Sequence, residues 1–229
     1  MSQRRRLFRL EGMKTLEVQA LSGAVFAVFL FVHLCNQMLA TLGAPQYDAV
    51  QRTLRRGYQA PVLEVVLVLA PLFIHVGVSV ARWWGRRREA PTPVSWRLRV
   101  HRWSGRFLLL VFLGHVVATR GASFLFGVFP GFDGVAFTFR WVPAYFWPYY
   151  LLLALCGWYH LVHGVSVALP VLGVRALLVL QRPRVFAGLL GAGAVALVLG
   201  VLAAGGVLFD VGDPATSEYA RLVLRLTKG

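Results

Sequence analysis

Four histidines define the chemistry open to this sequence. His33, His75, His115 and His160 lie 42, 40 and 45 residues apart, each deep inside a separate apolar run. A histidine in hydrocarbon is costly and is by default a functional residue. A single one often serves only as an interhelical hydrogen-bonding group. Four, one per successive run, call for a shared purpose, and a neutral imidazole presents one ring nitrogen to a transition metal. Depth sorts them into pairs. His115 stands five residues before Arg120 and His33 lies toward the same end of its run, whereas His75 stands seven residues before Arg82 and His160 lies past the middle of a run of opposite direction. Two stacked pairs of imidazoles in a low-dielectric bundle are what two bis-histidine haems require. With both axial positions filled, such a haem moves electrons and does not bind oxygen.

Smaller residues surround these four. Ser22-Gly23…His33 is echoed by Ser104-Gly105…His115, eleven residues from serine to histidine in both, which puts serine and histidine on one helical face. Ser22, Ser104 and Ser79 are therefore candidates for bonds to haem groups or to helix carbonyls. Gly157 and Gly164 lie three residues before and four after His160, where they would clear space for a flat macrocycle. His163 is one turn beyond His160 on nearly the same face, so either can be the fourth ligand. His101, some 21 Å along the helix from His115, reads as an interfacial residue. Cys35 and Cys156 read as packing residues, because no zinc or iron–sulfur spacing surrounds them.

The elements that must carry these histidines follow from hydropathy. The 229 residues are 58% hydrophobic and 14% charged, with a mean hydropathy of +0.65, values that suit a polytopic membrane protein. The net charge of +15 is concentrated between apolar runs, where topology explains it without nucleic acid. The expected class is all-α, with five transmembrane helices near 20–42, 61–84, 103–120, 145–170 and 185–209, the first four forming the haem-binding bundle. Residues 1–19 read as a cytoplasmic arm, and 210–229 as an extracytoplasmic tail with a short helix near Asp213. The polar stretch after the first span reads as a loop, and the aromatic, Gly- and Pro-rich stretch after Arg120 as an interfacial loop. Pro71 is expected to kink the second span. The first apolar segment lacks a small-x-small cleavage site and is read as a retained span. Of the 24 Lys and Arg, 16 fall on the side of the N-terminus and 8 on the other, which predicts a cytoplasmic N-terminus in the inner membrane. His33 and His115 are then the outer pair, His75 and His160 the inner pair.

The ordered set resembles the five-helix, dihaem cytochrome b membrane anchor of succinate dehydrogenases and fumarate reductases. The residues that carry the resemblance are Ser22-Gly23…His33-Leu34, His75 after Pro71-Leu72, His101-Arg102-Trp103-Ser104-Gly105…His115, and His160-Leu161-Val162-His163-Gly164, across about residues 20–170. The last run matches the family's His-x-x-x-Gly and so favours His160. The resemblance implies two haem b groups, a flavoprotein with FAD and an iron–sulfur subunit docked on the cytoplasmic face, and electron exchange with menaquinone or another quinone near the outer haem. It also makes the basic loop 82–102 a candidate docking surface, alongside its roles in topology and anionic-lipid binding. Asp48 and Glu64 are candidates for the quinone or proton site, and Arg120 for a haem contact. Two positions depart from the family. Trp158 stands where certain dihaem members carry a glutamate of a transmembrane proton path, and the second span has no glycine four residues after His75. Cytochromes b of nitrate reductase, formate dehydrogenase or hydrogenase type tend to place two ligands on one helix, unlike the one-per-span pattern here. A transporter or structural membrane protein would instead show inverted repeats, and the Ser-Gly…His echo joins two spans of like direction.

Overall fold

The computed structural model describes residues 3–88 and 93–228; the side chains of residues 1–12, 61, 88–92 and 228–229 lie outside that description, and with them Arg4, Arg5, Arg6, Arg9, Arg88 and Lys228. Helices make up the fold, with no strand among the described residues. Five of them are long and apolar enough to cross a bilayer: Met13–Leu42, Val62–Gly85, Trp96–Phe126, Pro143–Val171 and Pro183–Ala204. The chain is an all-α, multi-pass membrane protein. Proline opens the fourth and fifth spans, where its missing N–H costs nothing. Ser95 caps the third, its hydroxyl accepting from the Leu98 N–H at 3.3 Å. That cap starts the third span seven residues earlier than hydropathy suggests, since the arginine-rich turn after it is made of good helix formers. The first helix likewise begins at Gln3, so the expected arm is continuous with the span. The fifth ends at Ala204 rather than 209, where Gly205 and Gly206 follow.

The fourth span is central and packs on the first, third and fifth, while the second packs on the first. Between 6% and 28% of each apolar window is buried within the chain, so most of this surface is left for lipid or another protein. Leu34, Ala154, Trp158, Leu161 and Leu197 form the buried core of the first, fourth and fifth spans. Trp158 is its keystone. The indole N–H donates to the Leu189 carbonyl at 3.1 Å, and a Cβ at Gly193 would fall 2.0 Å from the Trp158 ring. Glycine at 193 is thus a requirement of packing, and the indole of Trp158 fills the space between the fourth and fifth spans.

Two segments read as loops are helices. Ala44–Tyr58 and Phe132–Trp141 join the tail helix Glu218–Lys228 in a cap over one end of the bundle. Tyr47, Phe132, Ala136 and Phe139 bury themselves against Ala40, Ala203 and Ala204 at the ends of the first and fifth spans. Phe132, Ala136, Phe137 and Phe139 of the aromatic stretch are therefore core, whereas Phe124, Phe126, Phe129 and Tyr145 stay exposed, as an interfacial belt requires. Asp48 ties the two cap helices, accepting from the Phe132 N–H at 2.9 Å. Gly127, with φ of +67°, supplies the left-handed residue that ends the third span. Asp213 caps only a short 3₁₀ turn, Pro214–Thr216, its carboxylate accepting from the Ala215 N–H at 3.1 Å. The tail helix starts further on at Glu218, where Ser217 Oγ accepts from the Ala220 N–H at 3.1 Å.

Just before the buried Pro71, the second span widens into a π turn over Val65–Leu69. The third span has a matching π turn at Val117–Gly121. Such turns are frequent at functional sites.

Candidate functional site

The structure brings the four deep histidines together in the two pairs expected. In the outer pair, the His33 and His115 ring centres are 6.0 Å apart with planes at 75°; in the inner pair, His75 and His160 are 6.3 Å apart at 86°. An imidazole nitrogen bonds a transition metal at about 2 Å, and its ring centre lies about 1 Å further on. Two imidazoles on one iron therefore hold their ring centres about 6 Å apart, at any angle about the shared axis. In centre-to-centre spacing both pairs match two imidazoles on one iron. Each pair also joins spans that are diagonal in the bundle, first to third and second to fourth, neither packed closely helix on helix. Among the described residues no group of three or more His, Cys, Asp or Glu is placed to hold a metal ion. A haem asks for only two protein ligands, since the macrocycle fills the other positions.

Hydrogen bonds select which nitrogen each imidazole of the inner pair leaves free. His75 Nδ1 lies 3.1 Å from the Gln19 carbonyl, which can only accept, so the proton is on Nδ1 and Nε2 keeps its lone pair. Ser104 gives its one proton to the His101 carbonyl at 2.9 Å, so toward His160 Nδ1, at 3.3 Å, it accepts. His160 is thereby set in the same tautomer as His75. His115 Nδ1 lies 3.2 Å from the Tyr149 hydroxyl. His33 is instead steadied by stacking on Phe29 at 5.7 Å. Such outer partners orient metal-binding imidazoles and tune their basicity.

The Ser-Gly echo proves to belong to the other level. A Cβ at Gly23 would sit 2.8 Å from His75 Nδ1, and one at Gly105 would sit 2.9 Å from His160 Cε1. Each repeat unit therefore offers a glycine cradle to an inner histidine and, about 15 Å further along, contributes an outer one. Ser22 keeps its proton within its own helix, donating to the Val18 and Gln19 carbonyls. Ser79 donates to the His75 carbonyl at 2.6 Å and accepts from Gln19 Nε2 at 2.8 Å, so Gln19 grips the His75 turn twice. Gly157 and Gly164 are not open clearings. Leu34 covers the first at 3.7 Å and His101 Cε1 the second at 3.5 Å.

His101 and His163 occupy the inner level too. The His101 ring stacks on His160 at 4.0 Å and 13°, and His163 lies 4.6 Å from His101. His101 is thus packed within the bundle rather than at its interface. His163 is 7% exposed, lies against Tyr159 and Phe186, and leaves Nδ1 buried without a partner. His160 faces His75 across the bundle, whereas His163 faces His101, Tyr159 and Phe186.

Glu64 and Arg120 meet across the second and third spans, with Arg120 Nε on Oε1 at 2.6 Å and a terminal nitrogen on Oε2 at 2.8 Å. Both belong to the π-turn regions, and Arg120 also donates to Ser123 Oγ at 3.0 Å. Arg120, a candidate haem contact, and Glu64, a candidate quinone residue, are therefore partners of each other. Asp48 stands apart in the cap. Gln19 and Tyr149 escaped sequence reasoning. Gln19 acts through its backbone carbonyl, which no residue type announces, and Tyr149 is hidden in an aromatic-rich helix start.

The fold and site define a multi-pass helical membrane protein with two diagonal imidazole pairs. Comparison with models of known protein families, with curated proteins and with solved structures finds no match to the chain.

Proposed function

We propose that this chain is the membrane anchor and electron-transfer subunit of a succinate:quinone oxidoreductase, holding two b-type haems in the inner membrane. The observation that carries the reading is the pair of imidazole–imidazole spacings, 6.0 and 6.3 Å, on diagonal spans at two depths. The motif set that resembles dihaem anchors supports the choice of complex. His33 and His115 would hold the outer haem, His75 and His160 the inner one. Each bound haem b supplies a one-electron carrier. The chain's own residues hold the imidazoles in the ligating tautomer through Gln19 and Ser104, and exclude water with apolar walls. The N-terminus and the basic 82–102 loop would face the cytoplasm, where an iron–sulfur subunit and a FAD flavoprotein dock. The dicarboxylate chemistry belongs to that flavoprotein. Glu64, paired with Arg120 at the outer level, is the group best placed to handle protons for menaquinone or another quinone.

A reduced-minus-oxidised absorption spectrum of the purified chain tests this reading. A b-type spectrum is expected; a chain purified from haem-replete cells without haem would end it. Co-purification with a flavoprotein and an iron–sulfur protein would identify the complex.

A further inference from the structure

Three arginines of the cap remain unexplained by electron transfer. Arg52, Arg55 and Arg56 line an open cleft of about 330 Å³ together with Gln59 and Phe129. They lie at i, i+3 and i+4 on Ala44–Tyr58, one face of one helix. The Arg55 guanidinium sits 4.3 Å above the Phe129 ring, which fixes one wall. None of the three has a carboxylate in ion-pair range among the described residues; the pair between Arg120 and Glu64 is the ion pair found there. The nearest acid on the same helix, Asp48, is engaged by the Phe132 N–H. Their position is also against the trend of the chain, since this end carries 8 of the 24 Lys and Arg.

Three unpaired guanidiniums around a cleft suit a phosphate oxyanion, which arginine binds in a planar, charge-assisted fork. The rim of the cleft says which kind. Gln59 is followed at once by the second span, where Val62 and Leu63 are 73% and 44% exposed. Phe129, itself 48% exposed, follows the end of the third span, where Phe124 and Leu125 are 77% and 70% exposed. Bare apolar helix thus descends into the membrane from both sides of the basic cleft. A ligand with an anionic head and acyl tails uses both surfaces, whereas a free phosphate uses only the first. We infer that this cleft binds the phosphodiester headgroup of an anionic phospholipid, with its acyl chains against the ends of the second and third spans. The lipid braces the cap helix against the bundle and seals the end nearest the outer histidine pair.

Native mass spectrometry of the full chain, with equal amounts of phosphatidylglycerol and phosphatidylcholine, tests this inference. The wild type is expected to retain one phosphatidylglycerol in preference to phosphatidylcholine. Retention should fall at least about tenfold in Arg52→Gln/Arg55→Gln/Arg56→Gln, and millimolar inorganic phosphate should not displace the lipid. Equal retention of the two lipids, undiminished retention by the variant, or release by inorganic phosphate would overturn it. Should the triple variant not fold, the exposed pair Arg52→Gln/Arg56→Gln and the wild-type lipid preference still decide. Haem content is not read in this experiment, so its outcome is separate from that of the proposed function.

Discussion

The inner and outer histidine pairs have nearly the same spacing but are built from different materials. The inner pair depends on backbone approach. Gly23 and Gly105 admit the two rings, the Gln19 carbonyl and the Ser104 hydroxyl orient them, and two further histidines crowd the same level. The outer pair has no glycine cradle of that kind. It is oriented by the Tyr149 hydroxyl and the Phe29 ring, and the Glu64–Arg120 pair ties the spans at its end of the bundle. Steric tolerance should therefore separate the two levels. Side-chain growth ought to destroy the inner one, while polar deletion ought only to retune the outer one.

The largest expected effect is at the cradles. Gly105→Leu and Gly23→Leu should each remove one haem and leave the other, measured as haem per polypeptide; loss of neither would mean the glycines do not hold the inner pair. Next comes the choice of inner ligand. His160→Ala should lose one haem and His163→Ala none, and the reverse result would exchange their roles. Arg120→Ala comes third. It leaves Glu64 without its bidentate partner in a low-dielectric setting, which costs several kcal/mol for a buried pair and about 2 kcal/mol where, as here, Arg120 is 31% exposed. The thermal midpoint should fall by about 4–8 °C, and Arg120→Ala/Glu64→Gln should recover part of that loss. The smallest effect is expected from Tyr149→Phe, at about 1 kcal/mol. Both haems should stay, and only the redox midpoint of the outer one should move. A shift confined to the inner haem would break the comparison between the two levels.

The spans and the depth pairing were legible because both rest on local information. Hydropathy marks each crossing, and position within a crossing gives depth. What escaped depends on residues far apart in the chain. The cap helices Ala44–Tyr58 and Phe132–Trp141 look like loops until their apolar faces meet each other and the ends of the first and fifth spans. Glu64 and Arg120 are separated by 56 residues, so each looked like an isolated boundary charge. The glycines of the Ser-Gly echo were visible as a repeat, but their partners, His75 and His160, lie on other helices. Gly157 and Gly164 misled for the same reason, since their neighbours Leu34 and His101 come from the first and third spans. His101 looked interfacial by its place in sequence, and its stacking on His160 is a tertiary fact.

The most direct measurement of the central claim is haem stoichiometry in the intact chain and in His75→Ala and His115→Ala. Two haems per wild-type chain and one in each variant are predicted, with the remaining haem differing in redox midpoint between the two variants. A single haem in the wild type, or loss of both haems in either correctly folded variant, would contradict two independent bis-histidine sites.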